Sequence, residues 1–166
     1  MSLLTPIKAE HADALYILLK ESNVTDTLLW DGPSSLEDLR SGFATREMQM
    51  AEGKINQFTV KEPQSGVPIG GADLRVQETK KSGEIGLWIG EPFQGKGIGT
   101  KVVLELVAYG FETFGLKTIS AAVFVGNQAS RSIFEKCGFI LEHTLPMAVL
   151  KKGVAVDEWI FRLDRI

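Results

Sequence analysis

Glu84-Ile85-Gly86-Leu87-Trp88-Ile89-Gly90-Glu91-Pro92-Phe93-Gln94-Gly95-Lys96-Gly97-Ile98-Gly99-Thr100 is the stretch on which the reading of this chain turns. Glu84 to Ile89 has the composition of a strand, and Glu91-Pro92 stops it. Val103, Leu106, Val107, Gly110, Phe111 and Phe114 share one helical stripe, which predicts a helix over about 97–114. Between the two lies a turn with glycine at 95, 97 and 99. A bare turn at a helix N-terminus aims several backbone N–H groups at one point and adds partial positive charge, the arrangement that holds a phosphate. Glycine suits it because a side chain blocks close approach and because such turns need φ > 0. Lys96 adds a charge at the rim. Taken alone, such a turn also occurs as a mere connection.

Three phosphate motifs compete for these residues. The P-loop pattern G-x-x-x-x-G-K-[ST] fits Gly90 to Lys96, but Gly97 stands where a hydroxyl must hold Mg²⁺. That weakens a phosphotransferase reading. The dinucleotide pattern G-x-G-x-x-G fits Gly95 and Gly97 but meets Thr100 at its third glycine, and Thr118 to Ser120 stand where its acidic residue belongs. The pattern Q-x-x-G-x-G is met in full by Gln94, Gly97 and Gly99.

Outward from this stretch, the first half reads as strand, two helices and three strands. Leu3 to Ile7 fits a short edge strand. Ala12, Leu15, Tyr16 and Leu19 predict a helix over about 9–21. Asn23 to Pro33 is a loop. Ser34 and Glu37 form a capping box for a second helix carrying Leu36, Leu39, Phe43 and Met50. Phe58 and Val60, then Val67 to Gln77, then Glu84 to Ile89 form an antiparallel meander. Gly70-Gly71 signals a bulge or a close backbone approach. After the long helix come a strand at Thr118 to Val125, a short helix capped by Asn127 and closed at Gly138, and strands at about 139–147 and 155–163. The order is β-α-α-β-β-β-α-β-α-β-β, an α/β fold with a mixed, mostly antiparallel sheet flanked by helices. No linker or repeat divides residues 1–166, so one domain is expected.

Here the chain resembles the GNAT superfamily of N-acetyltransferases. The resemblance rests on Gln94 to Thr100, on Asn127, Ser130, Arg131, Phe134, Glu135, Lys136, Gly138 and Phe139, and on the element order. The wording of these blocks is most similar to the RimJ/RimL-like branch, whose members include acetyltransferases of ribosomal-protein N-termini. The resemblance implies the GNAT acyl-CoA N-acyltransferase fold and acetyl-CoA as co-substrate. It implies that Gln94, Gly95, Lys96, Gly97, Ile98, Gly99 and Thr100 bind the pyrophosphate, and that Leu87, Trp88 and Ile89 pair with the pantetheine arm. Asn127, Ser130 and Phe134 follow as further cofactor contacts. The implied reaction is direct attack of an amine on the thioester in a ternary complex. The acceptor is a protein N-terminus or a small amine. The alternative is a catalytically weak module that senses acyl-CoA.

Composition sets limits on this. The 166 residues carry a net charge of −3, 44% hydrophobic and 23% charged residues, which offers no field for nucleic acid. A single cysteine, Cys137, fits core filling and a reducing cytoplasm. Two histidines and no paired cysteines make a poor metal site. No apolar run is long enough for a bilayer. Oligomeric state is not legible in the sequence, and a homodimer is one option.

Acid–base residues are less legible. Another branch of the family carries a glutamate and a tyrosine where this chain has Ala122 and Phe134. Ser130 is a candidate donor to the CoA thiolate, or an ordinary first-turn serine. Glu84 is a candidate proton acceptor through water, or an exposed strand carboxylate, with Asp73 as its rival. His143 is a base or a structural residue, and His11 is expected on a helix surface. Trp30 and Asp31 are candidates for an acceptor wall and a cation anchor; a tryptophan capping the core is the alternative. An α-amine with pKa about 8 is more often neutral at pH 7 than a lysine near 10.4, so a site without a strong base favours an N-terminal acceptor.

Overall fold

The computed structural model describes residues 1–166. Its elements are β1 (Leu4–Pro6), α1 (Ala12–Lys20), α2 (Leu36–Ala51), β2 (Gln57–Lys61), β3 (Pro68–Gln77), β4 (Ser82–Ile89), α3 (Ile98–Phe114), β5 (Thr118–Phe124), α4 (Gln128–Lys136), β6 (Ile140–Lys151) and β7 (Val154–Asp164). The seven strands form one sheet in the order β1-β2-β3-β4-β5-β7-β6. Every pairing is antiparallel except β4 with β5. The element order and mixed sheet are those expected from the sequence.

Strand alternation separates two apolar faces. Ile85 and Ile89 of β4 face a core built from β strands, α3 and α4, including Val102, Val103, Leu106, Phe134 and Phe161. Trp88, on the other face, packs against Leu15, Leu19, Leu39 and Phe43 of α1 and α2. The sheet is thus covered on both sides.

The parallel β4–β5 ladder is the feature that builds the site. It holds only Ser82↔Thr118, Gly83↔Ile119 and Glu84↔Ser120. Beyond Glu84 the two strands diverge, and a gap opens within the sheet. At the apex, a Cβ on Gly83 would lie 2.8 Å from Leu116 Cδ1 and 2.9 Å from Leu74 Cδ1, so a side chain there would have to push both leucine tips aside.

Two local expectations need correction, and a third becomes specific. The cap of α2 is Ser35, whose hydroxyl accepts from the Asp38 N–H at 3.0 Å; Ser34 and Glu37 are one residue out of phase. Gly70-Gly71 stands beside a bulge and at a close approach. Both pair regularly with β4, and a Cβ on Gly70 would lie 2.2 Å from the Trp88 carbonyl oxygen, so the glycines serve close approach. The register with β2 slips where Val60↔Gly70 gives way to Lys61↔Pro68, so the extra residue is Ile69 of β3, next to Gly70. His11 is not on a surface: it is 5% exposed, and its Nδ1 bonds Thr59 Oγ1 at 2.8 Å.

Candidate active site

The turn after β4 begins with a short 3-10 turn at Glu91–Phe93. Gly95 and Gly97 then adopt φ of 73° and 79°, left-handed values at which other residues are strained. A Cβ at either position would meet nothing within 4 Å, so conformation and not crowding demands glycine. None of the N–H groups from Gly95 to Thr100 donates to another group of the chain. Six amides at the mouth of a 17-residue helix are therefore free to converge on an anion. Gly99 has a different role: its Cβ would lie 2.7 Å from Ile133 Cδ1, so it lets α3 and α4 pack closely. The Gln94 side chain points away from the mouth, with Nε2 donating to the Ile89 carbonyl at 2.7 Å. It braces the turn against the end of β4. Lys96 lies 5.7 Å from the Phe93 ring centroid.

The gap between β4 and β5 offers an open backbone edge. Gly90 N–H donates to the Ile69 carbonyl at 2.8 Å, next to the Gly71↔Trp88 pair. By antiparallel alternation, Gly86 and Trp88 aim their backbone groups at β3, while Leu87 and Ile89 aim theirs at the gap. The Ile89 carbonyl is taken by Gln94. Leu87 keeps an unpaired N–H and C=O facing the gap, the geometry that accepts an extended amide-bearing arm.

A cleft of about 1250 Å³ runs along this gap, from the Gln94–Thr100 turn to the loop that carries Leu29 and Trp30. Asn127 and Ser130 line its α4 side. Asn127 caps α4, its Oδ1 accepting from the Ser130 N–H at 3.2 Å. This leaves the Ser130 hydroxyl without a partner in the chain, directed from the first helical turn. Phe134 is 2% exposed; its ring packs edge-on to Phe139 and stacks on Phe161, so it underlies the cleft as core.

Three carboxylates share the α1/α2 face of the sheet. Asp73 pairs with Gly86 and Arg75 with Glu84 on β3 and β4. Glu84 pairs with Ser120 on β5, and Phe124, two strand periods further, pairs with Glu158 of β7. Cross-strand partners lie on one face, so Asp73, Glu84 and Glu158 do too. All three line the cleft. Arg75 holds two of them, with Asp73 Oδ2 at 2.9 Å and Glu84 Oε1 at 3.1 Å. Burial raises the Asp73 carboxyl above its ordinary value, with Arg75 opposing and Glu84 adding to the rise. Burial also raises Glu158, and Glu84 pushes in the same direction. Glu158 is half-buried and has no ion-pair partner, which leaves its carboxylate free to take a proton. Glu158 went unnoticed in the sequence. Its signal was the alternation of β7, which puts the buried Phe161 on one face and Glu158 on the other.

The remaining candidates lie apart. Trp30 is 39% exposed and lines the cleft. Asp31 is engaged by Lys151, whose Nζ lies 2.5 Å from Asp31 Oδ1; this bond holds the Asp31 carboxyl below its usual range, and it does not line the cleft. An anchoring role for an incoming cation conflicts with that pairing. His143 is on β6, the far edge of the sheet, and outside the cleft. Cys137 sits under Thr100, its thiol raised by burial. No group of histidine, cysteine and carboxylate residues is arranged to hold a metal ion. No helix is long and apolar enough to cross a membrane.

Comparison with known proteins adds the following. Residues 2–140 match the family model described as the acetyltransferase (GNAT) domain. The putative ribosomal N-acetyltransferase YdaF of Bacillus subtilis is 37% identical over 67 residues, covering 40% of this chain and 37% of that protein. The microcin C7 self-immunity acetyltransferase MccE, solved with acetyl-CoA and AMP, superposes with a TM-score of 0.87 at 25% identity, covering 98% of this chain and 91% of that one. RimL, the ribosomal L7/L12 α-N-protein acetyltransferase solved with coenzyme A, gives a TM-score of 0.86 at 21% identity, covering 97% and 92%.

Proposed function

This chain belongs to the GNAT family of acetyltransferases, whose acyl donor is acetyl-CoA, and on that premise we propose that it acetylates a primary amine, in the first place the α-amine of a protein N-terminus. The observation that carries the reading is the cleft itself: free amides of the Gln94–Thr100 turn at one end and an acidic wall of Asp73, Glu84 and Glu158 beside the gap.

The amides of Gly95 to Thr100 bind the pyrophosphate, and the Leu87 backbone pairs with the pantetheine arm. The thioester then lies in the gap, where an N–H on the open edge of β4 stabilises the oxyanion. The acidic wall attracts the acceptor as an ammonium ion. Glu158 takes its proton, because Glu84 and Asp73 are both committed to Arg75. Ser130 returns a proton to the leaving thiolate. No covalent enzyme intermediate is needed, since both reactants are held together. An α-amine suits this wall better than a lysine, because less proton affinity has to be overcome.

The test is thiol release from acetyl-CoA in the presence of an acceptor panel: peptides with free α-amines, the same peptides blocked at the N-terminus but bearing lysine, and linear polyamines. Faster release with free α-amines than with blocked peptides is expected. Preference for the blocked, lysine-bearing peptides or for polyamines refutes the N-terminal acceptor. Tight acetyl-CoA binding with no acceptor-stimulated release points to an acyl-CoA sensor.

A further inference from the structure

One buried cation lies outside the chemistry above. Lys151 is 9% exposed, and lysine is rarely buried unless paired. It is the last residue of β6, beside the two-residue turn Lys152-Gly153, whose φ values of 49° and 79° lock the hairpin tightly. The β5 register ends at Phe124↔Glu158, whereas β6 and β7 continue as a pair to Lys151↔Val154. The hairpin tip therefore projects past the β5 end of the gap.

From there Lys151 reaches the loop between α1 and α2. Its Nζ donates to the Trp30 carbonyl at 3.0 Å and to Asp31 Oδ1. The loop has little else to hold it. Leu28 N–H bonds Thr25, and Ser34 N–H bonds Asp38, but between these two positions the only hydrogen bonds are those from Lys151. Yet this segment presents Leu29, 61% exposed, and Trp30 to the cleft. Two large apolar side chains at an open mouth gain little from burial and keep their place only if the backbone is held. The loop belongs to the half of the molecule on the β4 side of the gap, and Lys151 to the half on the β5 side.

We propose that Lys151 is a positioning residue for the acceptor: it bridges the sheet gap at its outer end, fixes the backbone of Trp30 and so sets the grip on the incoming amine. The proposal rests on the amine-acetylation reading, and it assigns the acceptor wall to a residue about 120 positions distant in sequence.

The test compares wild type, Lys151→Met, Lys151→Arg and Asp31→Asn, each carrying 5-fluorotryptophan, with Trp30→Phe to assign the fluorine resonance. In Lys151→Met the Trp30 resonance is expected to move toward its value in the unfolded chain, while those of Trp88 and Trp159 stay. KM for the peptide acceptor rises roughly tenfold, equivalent to about 1.4 kcal/mol, while KM for acetyl-CoA and kcat at saturating acceptor hold. Lys151→Arg restores part of the acceptor KM. Asp31→Asn, an exposed substitution that keeps the shape of the loop, shifts both readouts less and in the same direction. An unmoved Trp30 resonance overturns the proposal. So does a moved resonance with an unchanged acceptor KM, or a KM for acetyl-CoA that rises in step. If wild type acetylates no amine, the function proposed above is what falls, and the bridge is then decided by the Trp30 resonance alone: a shift supports it and no shift overturns it.

Discussion

Replacing Gly97 by alanine tests the proposed diphosphate grip apart from the rest of the molecule. At φ +79° a Cβ would touch nothing within 4 Å, so the substitution has no steric consequence. Its cost is the left-handed backbone, about 1–2 kcal/mol for a residue with a Cβ. In a domain of this size each kcal/mol lowers Tm by about 2–4 °C, so a fall of roughly 2–8 °C is expected if the turn keeps its shape. If the turn instead relaxes to negative φ, stability recovers but the neighbouring amides swing off their common point. One charge-assisted hydrogen bond is worth about 1.5–3 kcal/mol, so losing it weakens CoA binding roughly 10- to 150-fold. Gly66 supplies the internal control: its φ is +73°, its surroundings are equally open, and it lies in the β2–β3 turn outside the cleft. Gly66→Ala should show the backbone cost with no change in CoA affinity. Calorimetric titration of CoA into both variants, alongside thermal unfolding, makes the comparison. If Gly97→Ala keeps both the wild-type Tm and the wild-type CoA affinity, the turn has relaxed without loosening the diphosphate, and the site has been misplaced.

Glu158→Gln is expected to lower kcat roughly 100-fold or more, the usual worth of a positioned proton acceptor. Because burial raises the Glu158 pKa, its ionised form grows in as pH rises, so kcat should climb through an acidic limb that the glutamine variant lacks; an identical limb in both exonerates Glu158. Ser130→Ala should reduce kcat more than it changes KM for acetyl-CoA, and an unaltered kcat removes the hydroxyl from the mechanism. His11 bears on stability: burial, aided by Lys61, lowers its folded pKa beneath the ordinary 6.5. The contribution of neutral His11 is therefore complete above about pH 6.5 and is lost as pH falls through the depressed value. Thermal unfolding followed from pH 7 to 5 should show Tm dropping more steeply in wild type than in His11→Asn.

The architecture was legible because long periodic runs decide it. The α3 stripe and the apolar β5 leave little choice, and Gln94, Gly97 and Gly99 mark the helix mouth in the sequence itself. Asn127 was readable as a cap because capping is local chemistry. What failed was whatever depends on partners distant in sequence. Glu84 looked available until Arg75 was seen holding it, and Asp31 until Lys151 was. His11 read as surface because α1 periodicity cannot show that Thr59 of β2 lies against it. Glu158 carried only the alternation of β7 as a signal; its place in the cleft comes from β5 and β7 pairing next to a gap that no strand pattern announces. Gly99 carries a second reason that the motif does not show: a Cβ there would meet Ile133 of the neighbouring helix.

The fork between β4 and β5 has a mechanical consequence. Beyond Glu84 the β3–β4 pair runs on to Ile89 with no strand paired across the gap, an arm five residues long, about 17 Å at strand spacing. A rotation of about 3° at the pivot moves the tip of such a lever by about 1 Å, and misplacement on that scale is enough to cost an enzyme much of its rate. The pivot is Gly83, where a methyl group would have to displace the side-chain tips of Leu74 and Leu116. A methyl added there would alter how far apart two reactants sit at the opposite end of the strand, though it touches neither.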